Sequence, residues 1–126
     1  MGKKPVILTI GYGGKKPADF FSELEEMNPD YIVDVRENPH RAYLGCYTKA
    51  HLQKRLDEHY VWIQELGNHT RELPPQLVNE ETGLTKLLKL CTGTNRVVLL
   101  CAEKDENRCH RSYIKMKIST IIENHD

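Results

Sequence analysis

Four short runs of apolar residues recur along the chain, and none shows the alternation of apolar and polar residues that a half-exposed strand would have. Continuous apolar runs of this kind are typical of strands that are buried on both faces of a parallel sheet. The predicted strands are Pro5–Ile10, Tyr31–Val35, Tyr60–Ile63 and Val97–Cys101.

A segment with helical spacing follows each run, because its apolar residues recur every three or four positions and form one face. The sets are Phe20, Phe21, Leu24 and Met27, then Leu52 and Leu56, then Leu84, Leu87, Leu88 and Cys91, and last Ile114, Ile118, Ile121 and Ile122. The alternation of strand and helix predicts one compact three-layer α/β domain over residues 1–126. Its mainly parallel four-stranded sheet would have right-handed crossovers and helices on both faces.

Several residues mark the expected ends of these elements. Pro17 suits the first position of a helix, Thr48 can cap the second helix, and Gly93 can end the third. The sequence Asn28-Pro29-Asp30 stops the first helix. Residues 68–83 form a long segment with little periodicity, which we expect to be partly helical or a lid.

Charge and cysteine content narrow the classes of function. The 126 residues carry 18 Lys and Arg against 18 Asp and Glu, so bulk charge does not support a general nucleic-acid binder, and a basic site would have to be local. No apolar run is long enough to cross a membrane and no signal-peptide pattern is present, so we expect a cytoplasmic protein without membrane partners. The four cysteines lack C-x-x-C spacing, which predicts reduced thiols and argues against a zinc ribbon.

Charged segments follow the ends of all four predicted strands, near Gly11, Arg36, Gly67 and Cys101. The carboxyl ends of parallel strands share one edge of a sheet, where ligands of open α/β sheets bind. The first of these segments, Gly11-Tyr12-Gly13-Gly14, is either an anion cradle or a plain turn. It is neither the dinucleotide fingerprint nor a P-loop.

Asp34 interrupts the second apolar run, and a buried carboxylate is costly unless it is paired or hydrogen-bonded. It is therefore either an active-site acid or part of a structural network. The following loop contains Arg36 and Arg41 with Tyr43 and Tyr47. Arginines with aromatic rings suit a phosphate or a stacked base, and a mobile surface loop is the alternative.

The fourth run is followed by the densest group of reactive side chains, which comprises Cys101, Glu103, Arg108, Cys109, His110 and Arg111. The last three open a predicted helix, whose N-terminus favours anions. The two arginines can hold a phosphate or carboxylate, and the surrounding cations favour a thiolate at Cys109. The structural alternatives are a core cysteine at position 101, a buried histidine bonded to a carbonyl, and a Glu103–arginine pair.

Taken together, the motifs resemble the family known as DUF488, a domain of unknown function. The matching segments are Thr9-Ile-Gly-Tyr12, Asp34-Val-Arg36 with Pro39, Glu65-Leu-Gly67, Leu100-Cys-Ala-Glu103 and Cys109-His-Arg-Ser112. The resemblance implies a compact α/β domain with site positions at Arg36, Glu103, Cys109, His110 and Arg111. Gly13-Gly14 departs from the family pattern, and the family name implies no reaction.

Three functions follow from these residues. The first is an enzyme that acts on an anionic, phosphate-containing substrate, including a nucleotide or nucleic acid. Its predicted catalytic residues are Asp34, Glu103, Cys109 and His110, and its predicted substrate-binding residues are Gly11, Tyr12, Arg36, Arg41, Arg108 and Arg111.

The second function is a non-catalytic module that binds a nucleotide or nucleic acid, and the third is a metal or thiol-redox site at Cys101, Cys109 and His110. No cofactor is predicted. Phosphatase-type cysteine chemistry needs an arginine at a spacing that neither Cys101 nor Cys109 has, and no G-x-S-x-G supports a serine hydrolase.

Overall fold

All four apolar runs form strands, and the strands pair in parallel into one sheet, in which the fourth strand along the chain lies between the first and the second, and the third pairs with the second. The structure, a computed structural model, describes residues 5–40, 42, 44–68, 74–94, 96–102 and 110–124. The strands are β1 (Val6–Gly11), β2 (Tyr31–Asp34), β3 (Tyr60–Trp62) and β4 (Arg96–Cys101). The predicted parallel sheet is therefore confirmed, with β4 in its interior.

Helices cover both faces of the sheet, as predicted. They are α1 (Pro17–Met27), α2 (Lys49–Leu56), α3 (Glu80–Cys91) and α4 (His110–Glu123). Alternate strand residues serve two separate cores. In one, Phe20 of α1 and Leu52 of α2 pack with Ile32 of β2. In the other, Leu87 of α3 and Ile114 of α4 pack on the opposite side of the sheet. The described chain therefore has three layers, with two helices on each side.

Local signals set most of the helix ends. Pro17 is the first residue of α1, and Asn28 ends that helix in the left-handed conformation with φ 47°. Thr48 stands at the start of α2, but its side chain does not cap the helix. Its hydroxyl donates instead to the Gly45 carbonyl at 2.8 Å, which corrects the sequence expectation. Gly93, with φ 79°, follows the end of α3.

The segment with little periodicity, residues 68–83, contains a β-bridge that precedes the start of its helix. Asn68 and Leu77 form an isolated antiparallel bridge, and α3 begins at Glu80 after a cap by the Asn79 side chain. Residues 69–73 lie outside the described part of the chain. The expectation of a partly helical segment therefore holds from Glu80 onwards. None of the helices among the described residues is long and apolar enough to span a membrane.

The strand ends meet at one edge, as the sequence predicts. Gly11 of β1 lies opposite Cys101 of β4, and Asp34 of β2 lies opposite both Leu100 and Trp62. The pairing of β1 and β4 continues past the strands, because the Gly13 N–H donates to the Ala102 carbonyl at 2.8 Å. The segments after β1, β2 and β4 are thereby held close together at this edge.

Gly67 fixes the path of the chain after β2. A Cβ atom at position 67 would lie 2.7 Å from the Glu37 backbone nitrogen and closer still to the Glu37 Cα. Real Cβ atoms do not approach backbone so closely, and only glycine lets the two segments touch. Since Glu37 follows Arg36 directly, this contact sets the position of the segment that carries Arg36.

We expect Gly67→Ala to destabilise the protein by about 1–3 kcal/mol, because the added methyl group must displace backbone rather than a flexible side chain. Urea unfolding of the two proteins measures the difference. Gly45→Ala is the matched control, since a Cβ there meets nothing within 4 Å. Equal effects of the two substitutions would show that the close approach of Gly67 to Glu37 does not matter for stability.

Candidate functional site

A buried ion pair lies at the carboxyl end of β2. Asp34 is the last residue of the strand, and its carboxylate is fully buried. The Arg36 guanidinium binds this carboxylate bidentately. The guanidinium Nε donates to Oδ1 at 2.8 Å and Nη2 donates to Oδ2 at 2.6 Å, while the Arg36 backbone N–H adds a bond of 3.1 Å to Oδ1. Charge-assisted bonds in this bidentate form are among the strongest in proteins.

The pair is tied to β3, to the residue that follows Gly11 of β1, and to the loop after β2. Arg36 Nη1 donates to the Tyr12 hydroxyl at 3.1 Å and to the Tyr47 carbonyl at 2.8 Å. Tyr60, at the start of β3, donates its hydroxyl to Asp34 Oδ2. At least four of the five guanidinium N–H groups are thus engaged within the protein.

The electrostatics of this group follow from its burial. Burial alone would lower the pKa of Arg36, but the hydrogen bonds and charge of Asp34 outweigh it and raise that pKa, so the guanidinium stays protonated. Burial, followed by the charge of Asp34, raises the pKa of Tyr60. Burial also raises the pKa of Tyr12, against the effect of Arg36. The hydroxyls therefore stay neutral and serve as donors or acceptors.

Aromatic rings surround the arginine on this face of the sheet. Tyr12 stacks on Tyr47 with ring centroids 4.5 Å apart, and its own ring lies 5.3 Å from the Arg36 guanidinium carbon. The Trp62 indole N–H donates to the Arg36 carbonyl at 2.8 Å. These contacts hold Arg36 through its side chain and its backbone at once.

The other face of the same edge carries a second buried group. His110, the first residue of α4, places its Nε2 2.6 Å from the Val35 carbonyl and its Nδ1 3.9 Å from Cys101 Sγ. Arg111 follows it and is 2 % exposed. Val35 lies between Asp34 and Arg36 in the chain, so the two groups are joined through three consecutive residues of β2 and its end.

Six sequence-predicted residues lie in the described part of this edge, namely Gly11, Tyr12, Asp34, Arg36, His110 and Arg111, and hydrogen bonds join Tyr12, Asp34 and Arg36. Four others, Arg41, Glu103, Arg108 and Cys109, lie outside the described residues. The geometry of Asp34 matches the structural-network alternative, and that of His110 matches a buried histidine bonded to a carbonyl. Catalytic roles for both stay predictions.

Sequence reasoning missed two residues of the network, Tyr60 and Trp62, and it considered Tyr47 only as an aromatic ring beside the arginines. Tyr60 pairs with Ile32, two residues before Asp34, so it lies on the same face of the sheet as the carboxylate. That relation depends on the register between β2 and β3, which the sequence pattern alone does not specify. A tyrosine at the start of an apolar run beside a buried aspartate was the available signal.

Metal binding gains no support from the described part of the chain, in which no group of three or more His, Cys, Asp or Glu side chains is placed to hold an ion. Cys46 and Cys91 are free thiols there. The predicted three-ligand set included Cys109, which lies outside that part.

Comparison with known proteins confirms the resemblance that the motifs indicate. The family described as "Domain of unknown function DUF488" matches residues 74–118. The matched stretch holds α3, β4 and the first part of α4, and it includes the segments Leu100–Glu103 and Cys109–Ser112. No curated protein and no solved structure matches the chain. The match covers less than half of the chain and leaves its reaction open.

We expect loss of either partner of the buried ion pair to cost about 3–5 kcal/mol, because the remaining charge is left buried without its counter-ion. Asp34→Leu and Arg36→Met should each show this loss in urea unfolding, and the double variant should be more stable than either single variant. Lys86→Ala is the control, since Lys86 is 53 % exposed in its 2.5 Å pair with Glu65 and should contribute at most about 1 kcal/mol. Single variants that cost no more than the control would contradict this.

We expect Tyr60→Phe to have two effects. At neutral pH it removes a hydrogen bond to a charged group, which contributes about 1.5–3 kcal/mol. Above pH 10, the ordinary tyrosine value, the unfolded chain loses the Tyr60 proton while the folded chain keeps it, so the wild type loses stability as pH rises. The variant lacks this contribution. Urea unfolding at pH 8 and pH 11 should show a smaller loss in the variant, and equal losses would contradict the raised pKa.

Proposed function

We propose that this DUF488-like domain binds a phosphate-containing anion at the carboxyl edge of its sheet and acts on it as an enzyme. The observation that supports this best is the position of Arg111. This arginine is almost fully buried in the first turn of α4, at the edge where β1, β2 and β4 end. A helix N-terminus carries a positive partial charge, and a guanidinium there adds bidentate donors for a phosphate.

The other described residues of the site would have separate roles in binding and catalysis. Arg36, already bound to Asp34, would position the loop after β2 rather than contact the substrate. Tyr12 and Gly11 would form the wall of the site on the β1 side. His110 would transfer a proton, since its ring is held by Val35 and reacting protons need a base in fixed geometry. Arg41, Glu103, Arg108 and Cys109 stay in the proposal on sequence grounds.

A second candidate, a non-catalytic nucleotide-binding module, is favoured by one specific observation. Trp62 is half-buried near the same edge, with Lys49 Nζ 5.8 Å from its ring centroid and the His40 ring 5.3 Å away. Aromatic faces next to cations are the usual means of holding a nucleic-acid base beside its phosphate. The full hydrogen bonding of Asp34 also suits a site that binds without turnover.

Thermal unfolding with phosphate, nucleotides and short oligonucleotides tests the anion site. We expect stabilisation by a phosphate-containing ligand, of about 2.7 kcal/mol at one hundred times its dissociation constant. Arg111→Gln should abolish it, and Arg111→Lys should keep part of it because the charge remains. Arg55→Gln is the control, since Arg55 is exposed on α2 and stacks on Phe21 at 3.9 Å.

Phosphorus NMR of the stabilising ligand then separates the two candidates. Conversion of the ligand supports an enzyme, and binding that weakens with salt without conversion supports the module. Stabilisation by zinc alone, reversed by a chelator, would contradict both.

A further inference from the structure

We propose that Cys101 is a nucleophilic thiol and that His110 is the base that activates it. The two side chains come from different elements, the end of β4 and the start of α4, and they meet at 3.9 Å between Sγ and Nδ1. They lie on the α3/α4 side of the sheet, opposite the Asp34–Arg36 pair. Cys101, activated by His110, would form a covalent adduct with an electrophilic substrate.

The hydrogen bond on the far side of the imidazole fixes which nitrogen can act. The Val35 carbonyl can only accept, so the nitrogen 2.6 Å from it, Nε2, must carry a proton. In the neutral ring, Nδ1 then bears the lone pair, and it is the nitrogen that faces the sulfur of Cys101. A nucleophile, a base and a group that orients the base is the arrangement that activates thiols in general.

The fold also supplies an internal comparison. Cys91 is as buried as Cys101, at 3 % against 6 % exposed, and both belong to the same apolar core. Burial raises the pKa of Cys91 to about 11, as expected for a thiol among apolar side chains. One difference between the two thiols is the imidazole beside Cys101. We therefore expect the reactivity of Cys101 to exceed that of Cys91.

The proposed step is a simple displacement. The thiol proton moves to Nδ1, a sulfur electron pair forms a bond to the electrophilic carbon, and the leaving group departs with its electron pair. The imidazolium keeps its Nε2–H bond to Val35, which helps to stabilise the positive charge. Because Arg111 follows His110, the electrophile would carry an anionic group. The anionic group of the substrate rests on the proposed function, whereas the reactivity of the thiol does not.

Other ionisable groups border the pair in the described part of the chain. Tyr12 follows β1, and burial raises its pKa, with a smaller contribution in the same direction from Cys101. Asp34 and Arg36 are joined to Tyr12 through the guanidinium, and Arg111 stands on α4 itself. Arg36 stays protonated and forms an ion pair with Asp34.

Alkylation by iodoacetamide, followed at each cysteine by peptide mass spectrometry, tests the pair. At pH 7 a free thiol is only a few per cent thiolate, so Cys101 of the folded protein should react at least about threefold faster than in the urea-unfolded chain. Cys91 should react more slowly than in the unfolded chain. His110→Gln keeps a donor for Val35 but lacks the base, and it should remove the advantage of Cys101. Thermal unfolding checks that this variant is folded.

The wild type alone gives a second measurement, should the variant not fold. Between pH 8.5 and pH 7 a free thiol loses about 16-fold in alkylation rate, whereas Cys101 should lose less than about fourfold if His110 takes its proton. A Cys101 that follows the free-thiol profile, or reacts no faster than Cys91, overturns the proposal.

Iodoacetate distinguishes this proposal from the anion site. Its rate relative to iodoacetamide should be higher at Cys101 than in the unfolded chain, and phosphate should lower it. A fast reaction with iodoacetamide but no preference for iodoacetate supports the thiol–imidazole pair and contradicts the anionic substrate. A preference for iodoacetate that vanishes in Arg111→Gln supports both.

Discussion

The buried ion pair between Asp34 and Arg36 organises the functional edge of this domain. A carboxylate and a guanidinium removed from water are stable only when their hydrogen bonds are satisfied. Here the partners are Tyr12 after β1, Tyr47 in the loop after β2 and Tyr60 of β3. The loop after β2 therefore has one position in which the pair is satisfied. That position also presents the Val35 carbonyl to His110 on the other side of the sheet. The polar groups of both faces thus share one backbone segment.

The alternation of apolar runs and amphipathic segments was sufficient to predict the fold class. The fourth strand, predicted as Val97–Cys101, is Arg96–Cys101, and its buried positions are those of the apolar run. The pattern carries this information because a parallel strand covered on both sides has no room for polar residues. It could not specify strand order, since β4 would be equally apolar at any interior position of the sheet.

The sequence was sufficient to predict which residue types lie at the site. It was less informative about which residues form hydrogen bonds with one another. The convergence of Gly11, Asp34 and Cys101 follows from parallel topology, and Asp34 was recognised as a residue that needs a partner. The identity of those partners depends on register and on the course of loops, as the Tyr47 carbonyl and the Tyr60 hydroxyl show. The prediction that Thr48 caps the second helix was wrong for a related reason. Its hydroxyl donates to the Gly45 carbonyl, in a turn that the sequence pattern does not specify.

The strand order has a consequence for how the chain assembles. Among the described residues, β1 pairs only with β4, and the register joins Val6 to Arg96, across most of the chain. During synthesis, β1 therefore cannot form its strand pairing until β4 has been made. β4 then inserts between β1 and β2. Contacts of such long sequence separation slow folding, because the entropy of the intervening chain is lost before the contacts form. The edges of β1 and β2 that β4 later covers are exposed in the nascent chain, and they are the places where another chain would find a template.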